Sequence, residues 1–438
     1  MKYFGTDGIR QKAEKFTPEF LAKIVKGIID YKGENVKVFL AGDTRESTEW
    51  ILSDLENILE TFGIEYGNAG VLPTPAINYC FFKMGFDIAI DVTASHNPYT
   101  DNGIKIFERG RTHGKKLLEK GQEIIEKSLN EEASFNLVSA TIRENLHEEA
   151  VGIYKEHLLE YVGDVNFKNL HIGMDCANGA TSTINKTVFE KLGGKVELIN
   201  SNEKYNTGIN QDCGSTHLES LTELVKTKNL DFGVAFDGDG DRCLLVDKNG
   251  KTVDGDEIIA ILVTYLKLPS ATVTVMANQG LMNWAKEKGI DLEITNVGDQ
   301  NVVNTMIEKS VEIGGEQSGH IILPNKSTGD GMLTALMITK VIAETEKSLD
   351  ELASIVTKSP QIIVNFEATS EQKEKLKTEP IEELLKAYEK KLEDISGRLL
   401  VRPSGTEPLI RITMWGDDED IINKLANELK DELKNNLT

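Results

Sequence analysis

The chain has 438 residues, 39% hydrophobic and 27% charged, with a formal net charge of −22. That length exceeds what one hydrophobic core usually serves, so several domains are expected. The acidic balance argues against a nucleic-acid or anionic-membrane surface, because both need clustered Lys and Arg, and it leaves any anionic ligand to a few local basic groups.

From the start, residues 1–7 carry an acid and a glycine where a signal peptide has an apolar run. Short apolar runs then recur before polar, glycine-bearing turns. Residues 36–40 precede Ala41-Gly42-Asp43, 88–92 precede Thr93, 170–174 precede Asp175, and 232–236 precede Asp237. Strands followed by turns and helices predict α/β domains with ligands at the carboxyl ends of strands. The most apolar stretch, 258–268, is too short to span a bilayer and is interrupted by Lys267. Near the end, strand-like 398–401 and 410–414 flank a loop, and Ile422, Leu425, Leu429 and Leu433 form one helical stripe. The glutamate-rich stretch 131–149 and the turn before Val253-Asp254-Gly255-Asp256 mark boundaries. The expected division is 1–152, 153–253, 254–366 and 367–438. Cys80, Cys176, Cys213 and Cys243 form no C-x-x-C pair, so reduced thiols in a cytoplasmic protein are expected.

Five segments carry chemistry. In Thr93-Ala94-Ser95-His96-Asn97-Pro98 the serine follows a buried-type strand. There it suits a nucleophile or phosphoryl carrier, with His96 and Asn97 donating to phosphate oxygens; a helix N-cap before a proline turn is the structural alternative. Asp237-Gly238-Asp239-Gly240-Asp241-Arg242 alternates acids with glycines, which lets a tight loop aim three hard oxygen donors at one Mg²⁺. An EF-hand is excluded, since Lys248 stands at its twelfth position and Arg242 at its turn glycine. Gly314-Gly315-Glu316-Gln317-Ser318-Gly319-His320 offers an acceptor, an amide, a hydroxyl and an imidazole to a polyhydroxylated ligand. Arg402-Pro403-Ser404-Gly405-Thr406-Glu407-Pro408, with Arg411 behind it, is the local basic exception and has the ingredients of a phosphate nest. Lys105, shortly after Ser95, suits a general acid or base if a neighbouring cation lowers its pKa.

In this order the segments, together with Gly5-Thr6-Asp7-Gly8-Ile9-Arg10, resemble the α-D-phosphohexomutases from Gly5 to Arg411. Asp175-Cys176-Ala177-Asn178-Gly179-Ala180, Cys213-Gly214-Ser215-Thr216-His217 and Gln317 resemble the bacterial phosphoglucosamine mutase branch. The resemblance implies three related α/β domains with mixed sheets and a smaller C-terminal α+β domain around a central cleft. It implies Ser95 as phosphoryl carrier and Asp237, Asp239 and Asp241 as Mg²⁺ ligands completed by a phosphate oxygen on Ser95. Catalytic roles are implied for Lys105, His96, His320 and Arg10, the last in an active-site loop. Substrate contacts are implied for Arg242, Glu316, Ser318, Arg402, Ser404, Gly405, Thr406 and Arg411. A hexose or hexosamine 1,6-bisphosphate activator and a small phosphosugar substrate follow, with a homodimer left open. Gln11 and Gln300 depart from the family's usual glycine and arginine. Two rivals are a haloacid-dehalogenase-type phosphatase, disfavoured because Asp241 occupies the threonine position of D-x-D-x-T, and a non-catalytic sugar-phosphate sensor.

Overall fold

The computed structural model describes residues 1–5, 7–111, 113–132, 145–404 and 408–437. They group into two compact units, one of residues 1–274 with 293–354 and one of 275–292 with 355–438.

The first unit is α/β. Its largest sheet runs in the order Phe4–Gly5, Gly8–Lys12, Asp101–Arg109, Ile88–Val92, Val38–Gly42, Tyr66–Val71, with Gly114–Lys116 paired to Asp101–Arg109. Val38–Gly42 lies parallel to both its neighbours, while Ile88–Val92 and Asp101–Arg109 are antiparallel, so the sheet is mixed. Every residue of Val38–Gly42 and Ile88–Val92 is buried, as expected of strands covered on both faces. A second sheet orders Thr252–Val253, Cys243–Asp247, Phe232–Phe236, His171–Asp175 and Lys195–Ile199. In a third, Ser270–Thr274 lies parallel to Gly314–Gly315, which is antiparallel to Ile321–Ile322. The apolar stretch too short for a membrane is the helix Gly255–Leu266, buried over most of its length and started by a capping box between Asp254 and Glu257. Among the described residues no helix is long and apolar enough to cross a membrane.

The second unit is α+β. Gln361–Glu367 and Arg398–Pro403 flank Leu409–Trp415 in an antiparallel sheet. The helix Glu419–Asn436 buries all four members of the expected stripe, Ile422, Leu425, Leu429 and Leu433. They share a core with Ile410, Ile412, Met414 and Phe366. The strand Gln361–Glu367 runs across the expected edge at 366/367.

Candidate active site

Ser95 lies three residues beyond the strand Ile88–Val92, in a turn rather than at a helix N-terminus, with φ 53°. A non-glycine residue in that region needs its surroundings to hold it. Thr93 Oγ1 accepts from the Ser95 amide at 2.9 Å and donates to Asp43 Oδ2 at 2.6 Å. Arg45 Nη2 donates to the carbonyls of Ser95 (3.0 Å) and Asn97 (2.6 Å), and Asn210 Nδ2 donates to the same two at 2.8 and 3.3 Å. Arg45 is wholly buried and ion-paired with buried Asp43. The backbone is thus fixed, and the Ser95 hydroxyl is aimed at Asp237, donating to Oδ2 at 2.7 Å with His96 Nδ1 at 3.2 Å on its other side.

The acidic loop leaves the strand Phe232–Phe236 and is buried, not a solvated hairpin: Asp237, Asp239 and Asp241 are 0, 0 and 3% exposed. Its backbone is tied from three sides, because Asp239 O accepts from Thr74 N (2.8 Å), Gly238 O from Ala180 N (2.8 Å) and Gly240 O from Gly331 N (3.0 Å). Gly238 has no room for a side chain, since a Cβ would meet Asn210 Nδ2 at 2.7 Å and Ser95 O at 2.8 Å. One oxygen from each acid lies within 4.8 Å of the others. Asp239 Oδ1 and Asp241 Oδ1 are buried without a hydrogen-bond partner. Burial, then repulsion from Asp241 and Asp239, pushes the Asp237 carboxyl well above the ordinary range. Three converging hard donors, two with orphaned oxygens, fit a small divalent cation.

Basic groups surround these acids. Lys105, on the strand Asp101–Arg109, donates to Asp239 Oδ2 at 2.8 Å and Asp241 Oδ2 at 3.0 Å and lies 3.2 Å from Asp7 Oδ2. Burial alone would lower its pKa, but Asp239, Asp241, Asp7 and Asp91 outweigh it and hold the ammonium well above its ordinary value. The condition under which Lys105 would be a base, a cation lowering its pKa, is therefore reversed: four acids face it. Lys116 bridges Asp7 and Asp299, and Asp7 also pairs with Arg10. Arg10 sits on the strand Gly8–Lys12 rather than in a loop, because antiparallel pairing with Asp101–Arg109 satisfies its backbone. Arg242 Nε lies 3.7 Å from Asp241 Oδ1. Its positive charge, with burial and Arg10, pushes His96 down to about 3 and keeps that imidazole neutral.

The 314–320 segment is a short hairpin, and an isolated bridge sets His320 opposite Arg242. His320 is buried, with Nε2 3.9 Å from Asp241 Oδ2 and 3.8 Å from Asp299 Oδ2, accepting from Gly329 N at 3.3 Å. Glu316 Oε1 accepts from Gly298 N at 3.1 Å, and Ser318 is exposed. In the second unit Arg402 and Arg411 are directly opposed on paired antiparallel strands, so two guanidinium groups leave one patch of sheet. Ser404 O accepts from Lys373 Nζ at 2.8 Å. Gly405 and Thr406 lie outside the described residues.

Within the first unit the structure thus brings Ser95, His96, Lys105, Arg10, the three acids, Arg242 and His320 together. Sequence reasoning missed Asp7, Asp43, Arg45, Thr74, Lys116, Asn210 and Asp299. A signal existed for some of them. Asp43-Thr44-Arg45 follows the strand Val38–Gly42 as Ser95 follows Ile88–Val92, and Asp7 and Asp299 stood in segments already singled out. Asn210 and Lys116 carry none, being distant in sequence and ordinary in context. Gln300, one of the two departures, ties its side chain to Asn304 of its own helix at 3.0 Å.

Four models of phosphoglucomutase/phosphomannomutase match: α/β/α domain I over residues 1–135, domain II over 153–250, domain III over 254–359 and the C-terminal domain over 363–432. The chain is 42% identical to the phosphoglucosamine mutase of Caldicellulosiruptor saccharolyticus, with 100% of each covered. Among solved structures, the fold is similar to Paramecium parafusin, a phosphoglucomutase (TM-score 0.78, 19% identity, 98% of this chain and 94% of that one). It is also similar to Aspergillus fumigatus N-acetylphosphoglucosamine mutase in complex with GlcNAc-6P and magnesium (TM-score 0.68, 16% identity, 100% and 96%).

Proposed function

The chain belongs to the phosphoglucomutase/phosphomannomutase family and is a phosphohexomutase, an isomerase; on that premise we propose that it interconverts glucosamine 6-phosphate and glucosamine 1-phosphate through phosphoserine 95 and a bisphosphorylated sugar. The amino-sugar substrate is supported by full-length similarity to phosphoglucosamine mutases. With that substrate the enzyme would feed amino-sugar nucleotide and cell-wall precursor synthesis. The carrier assignment is carried by one observation: the Ser95 hydroxyl, on a backbone clamped by Arg45 and Asn210, points at Asp237 Oδ2 from 2.7 Å.

Asp237, Asp239 and Asp241, with a phosphate oxygen on Ser95, would hold Mg²⁺. When bound it supplies positive charge that offsets the charge on the transferring phosphoryl oxygens. The chain's own residues do the rest. Transfer to the sugar breaks the bond between phosphorus and Ser95 Oγ and forms one to a sugar oxygen. The sugar hydroxyl therefore gives up one proton and Ser95 Oγ gains one. Lys105 is the group assigned to exchange that proton, and the neutral His96 beside Ser95 Oγ is placed to donate a hydrogen bond to a phosphate oxygen. Arg10 and Arg242 add positive charge at the oxygens, and Glu316 and Ser318 orient the sugar hydroxyls. Arg402, Ser404, Gly405, Thr406 and Arg411 hold the non-reacting phosphate, which converts binding of a remote group into positioning of the reacting one. The intermediate reorients and its other phosphate returns to Ser95, so the carrier is regenerated. A 1,6-bisphosphate primes an unphosphorylated serine.

A coupled assay comparing glucosamine, glucose and mannose 6-phosphates, with intact-mass measurement alongside, tests this. The amino sugar should give the highest kcat/KM, and a phosphate adduct should vanish in Ser95→Ala. Preference for glucose or mannose would overturn the substrate, and an adduct surviving in Ser95→Ala would move the carrier elsewhere.

A further inference from the structure

A cavity of about 340 Å³ in the first unit is lined by Tyr79, Lys83, His113, His157, Lys326 and Asp330, among others, and by no residue assigned above to phosphoryl transfer. In a chain of net charge −22, four basic side chains converge there. Lys326 Nζ lies 2.5 Å from His157 Nε2. The His157 ring stacks on Tyr79, with centroids 3.8 Å apart and planes 18° from parallel. Lys83 and Lys326 approach the same tyrosine ring at 5.4 and 5.9 Å, and Lys326 also lies 4.7 Å from the Tyr161 ring. The aromatic faces thus gather two ammonium groups around one space.

Among the described residues neither Lys83 nor Lys326 forms an ion pair. The carboxylate on the wall, Asp330, is buried at the N-terminus of the helix Gly331–Thr345. Its Oδ1 accepts from the Tyr154 hydroxyl at 2.8 Å and from Leu333 N at 2.9 Å. The charged neighbours respond in one direction. Burial and Lys83, against the attraction of Asp330, lower Lys326; burial, Lys326 and Lys83 push His157 down to about 3; burial and Lys326 lower His113. Each group is pressed to shed positive charge, which an anion in the cavity would relieve.

We propose that this cavity is a second anion site, which takes a small molecule bearing a phosphoryl dianion between Lys83 and Lys326, beside the His157 ring. Its volume exceeds what inorganic phosphate alone occupies and falls at the lower end for small-molecule pockets. The fitting class is therefore a phosphomonoester of one small ring or chain.

The test uses the full chain with ¹³C at histidine Cε1, the His157 resonance being identified by its loss in His157→Gln. Sodium phosphate and glucose 6-phosphate are titrated separately, at ionic strength held constant with sodium chloride. The His157 signal should move saturably, with a midpoint of about 1 mM or below, and its pKa should rise. Lys83→Met, at the exposed rim, should weaken that response about tenfold, the loss of one charge-assisted contact. It should leave the His96 response in the active site unchanged. Lys326→Met should abolish the His157 response. Tighter binding of glucose 6-phosphate assigns a phosphorylated ring, and tighter binding of phosphate assigns the free ion. No saturable movement of His157, an equal response to chloride, or a response indifferent to both lysine variants overturns the proposal. If only His96 responds, the second site fails while the phosphoryl-transfer reading stands; if only His157 responds, the reverse holds.

Discussion

The acidic loop at 237–241 and the basic cavity at Lys83 and Lys326 each crowd charges of one sign into a small space, but they are built differently. The acids sit on short side chains and a backbone tied to Thr74, Ala180 and Gly331, and they are almost wholly buried. The bases hang on long side chains, and Lys83 lies exposed at the end of the helix Thr74–Lys83. The geometry of the first region is therefore fixed by the fold, as pre-organised sites require. The second is fixed less firmly, because Lys83 reaches water. A charge removed from the acidic region should therefore strand its partners. The same change in the basic cavity should relieve its neighbours.

The largest effect expected from that contrast is at Asp239, which accepts from Lys105 and carries an orphaned buried oxygen in the proposed Mg²⁺ site. Asp239→Asn should lower turnover by roughly 10²- to 10³-fold, the scale of one pre-organised electrostatic group. It should also abolish the heat of Mg²⁺ binding in calorimetry. Near-native turnover would break the comparison at its acidic end. Next is Arg45→Met. It leaves buried Asp43 unpaired and frees the carbonyls of Ser95 and Asn97, so urea unfolding should show a loss of about 3–5 kcal/mol. A loss under about 1 kcal/mol would mean that the serine turn is held by other contacts.

Gly238→Ala sharpens the claim that the acidic loop cannot give. A methyl forced against Asn210 and the Ser95 carbonyl should cost about 1–3 kcal/mol, read as a lower Tm. An unchanged Tm would show that the loop yields.

At neutral pH the smallest effect belongs to the basic cavity. Burial and the two lysines push the folded His157 down to about 3 from an ordinary 6.5. Between those values the unfolded chain binds more protons than the folded one, so stability falls as pH drops through that window. His157→Gln should flatten this part of the stability–pH curve, whatever pH-independent offset the loss of its stack on Tyr79 brings. An unchanged slope would show that His157 is not crowded by its lysines.

Much of this was legible in the chain because local chemistry fixes it. Ile88–Val92 and Phe232–Phe236 read as buried strands, and both ends of each fall where expected. The terminal helix declared its stripe by periodicity alone, and Asp237, Asp239 and Asp241 declared a metal loop by alternating with glycine. Arg10 did not read correctly, since a glycine-bearing segment near the terminus looks like a loop until a partner strand satisfies its backbone. Lys105 was found, but the direction of its pKa was not. That direction depends on Asp7, Asp91, Asp239 and Asp241, which reach it from three separate segments.

The sequence by itself determined which side chains are candidates for chemistry, because a nucleophilic hydroxyl, three spaced acids and a local pair of arginines are properties of short segments. Only the tertiary structure decided what holds them and what opposes them. Ser95 keeps its left-handed turn through Arg45, 50 residues before it, and Asn210, 115 after it. Lys83 meets Lys326 around one tyrosine ring, although neither sits in a motif. Such effects fall off with distance in space and not along the chain, so burial and charge at a site are set by neighbours that no local pattern names.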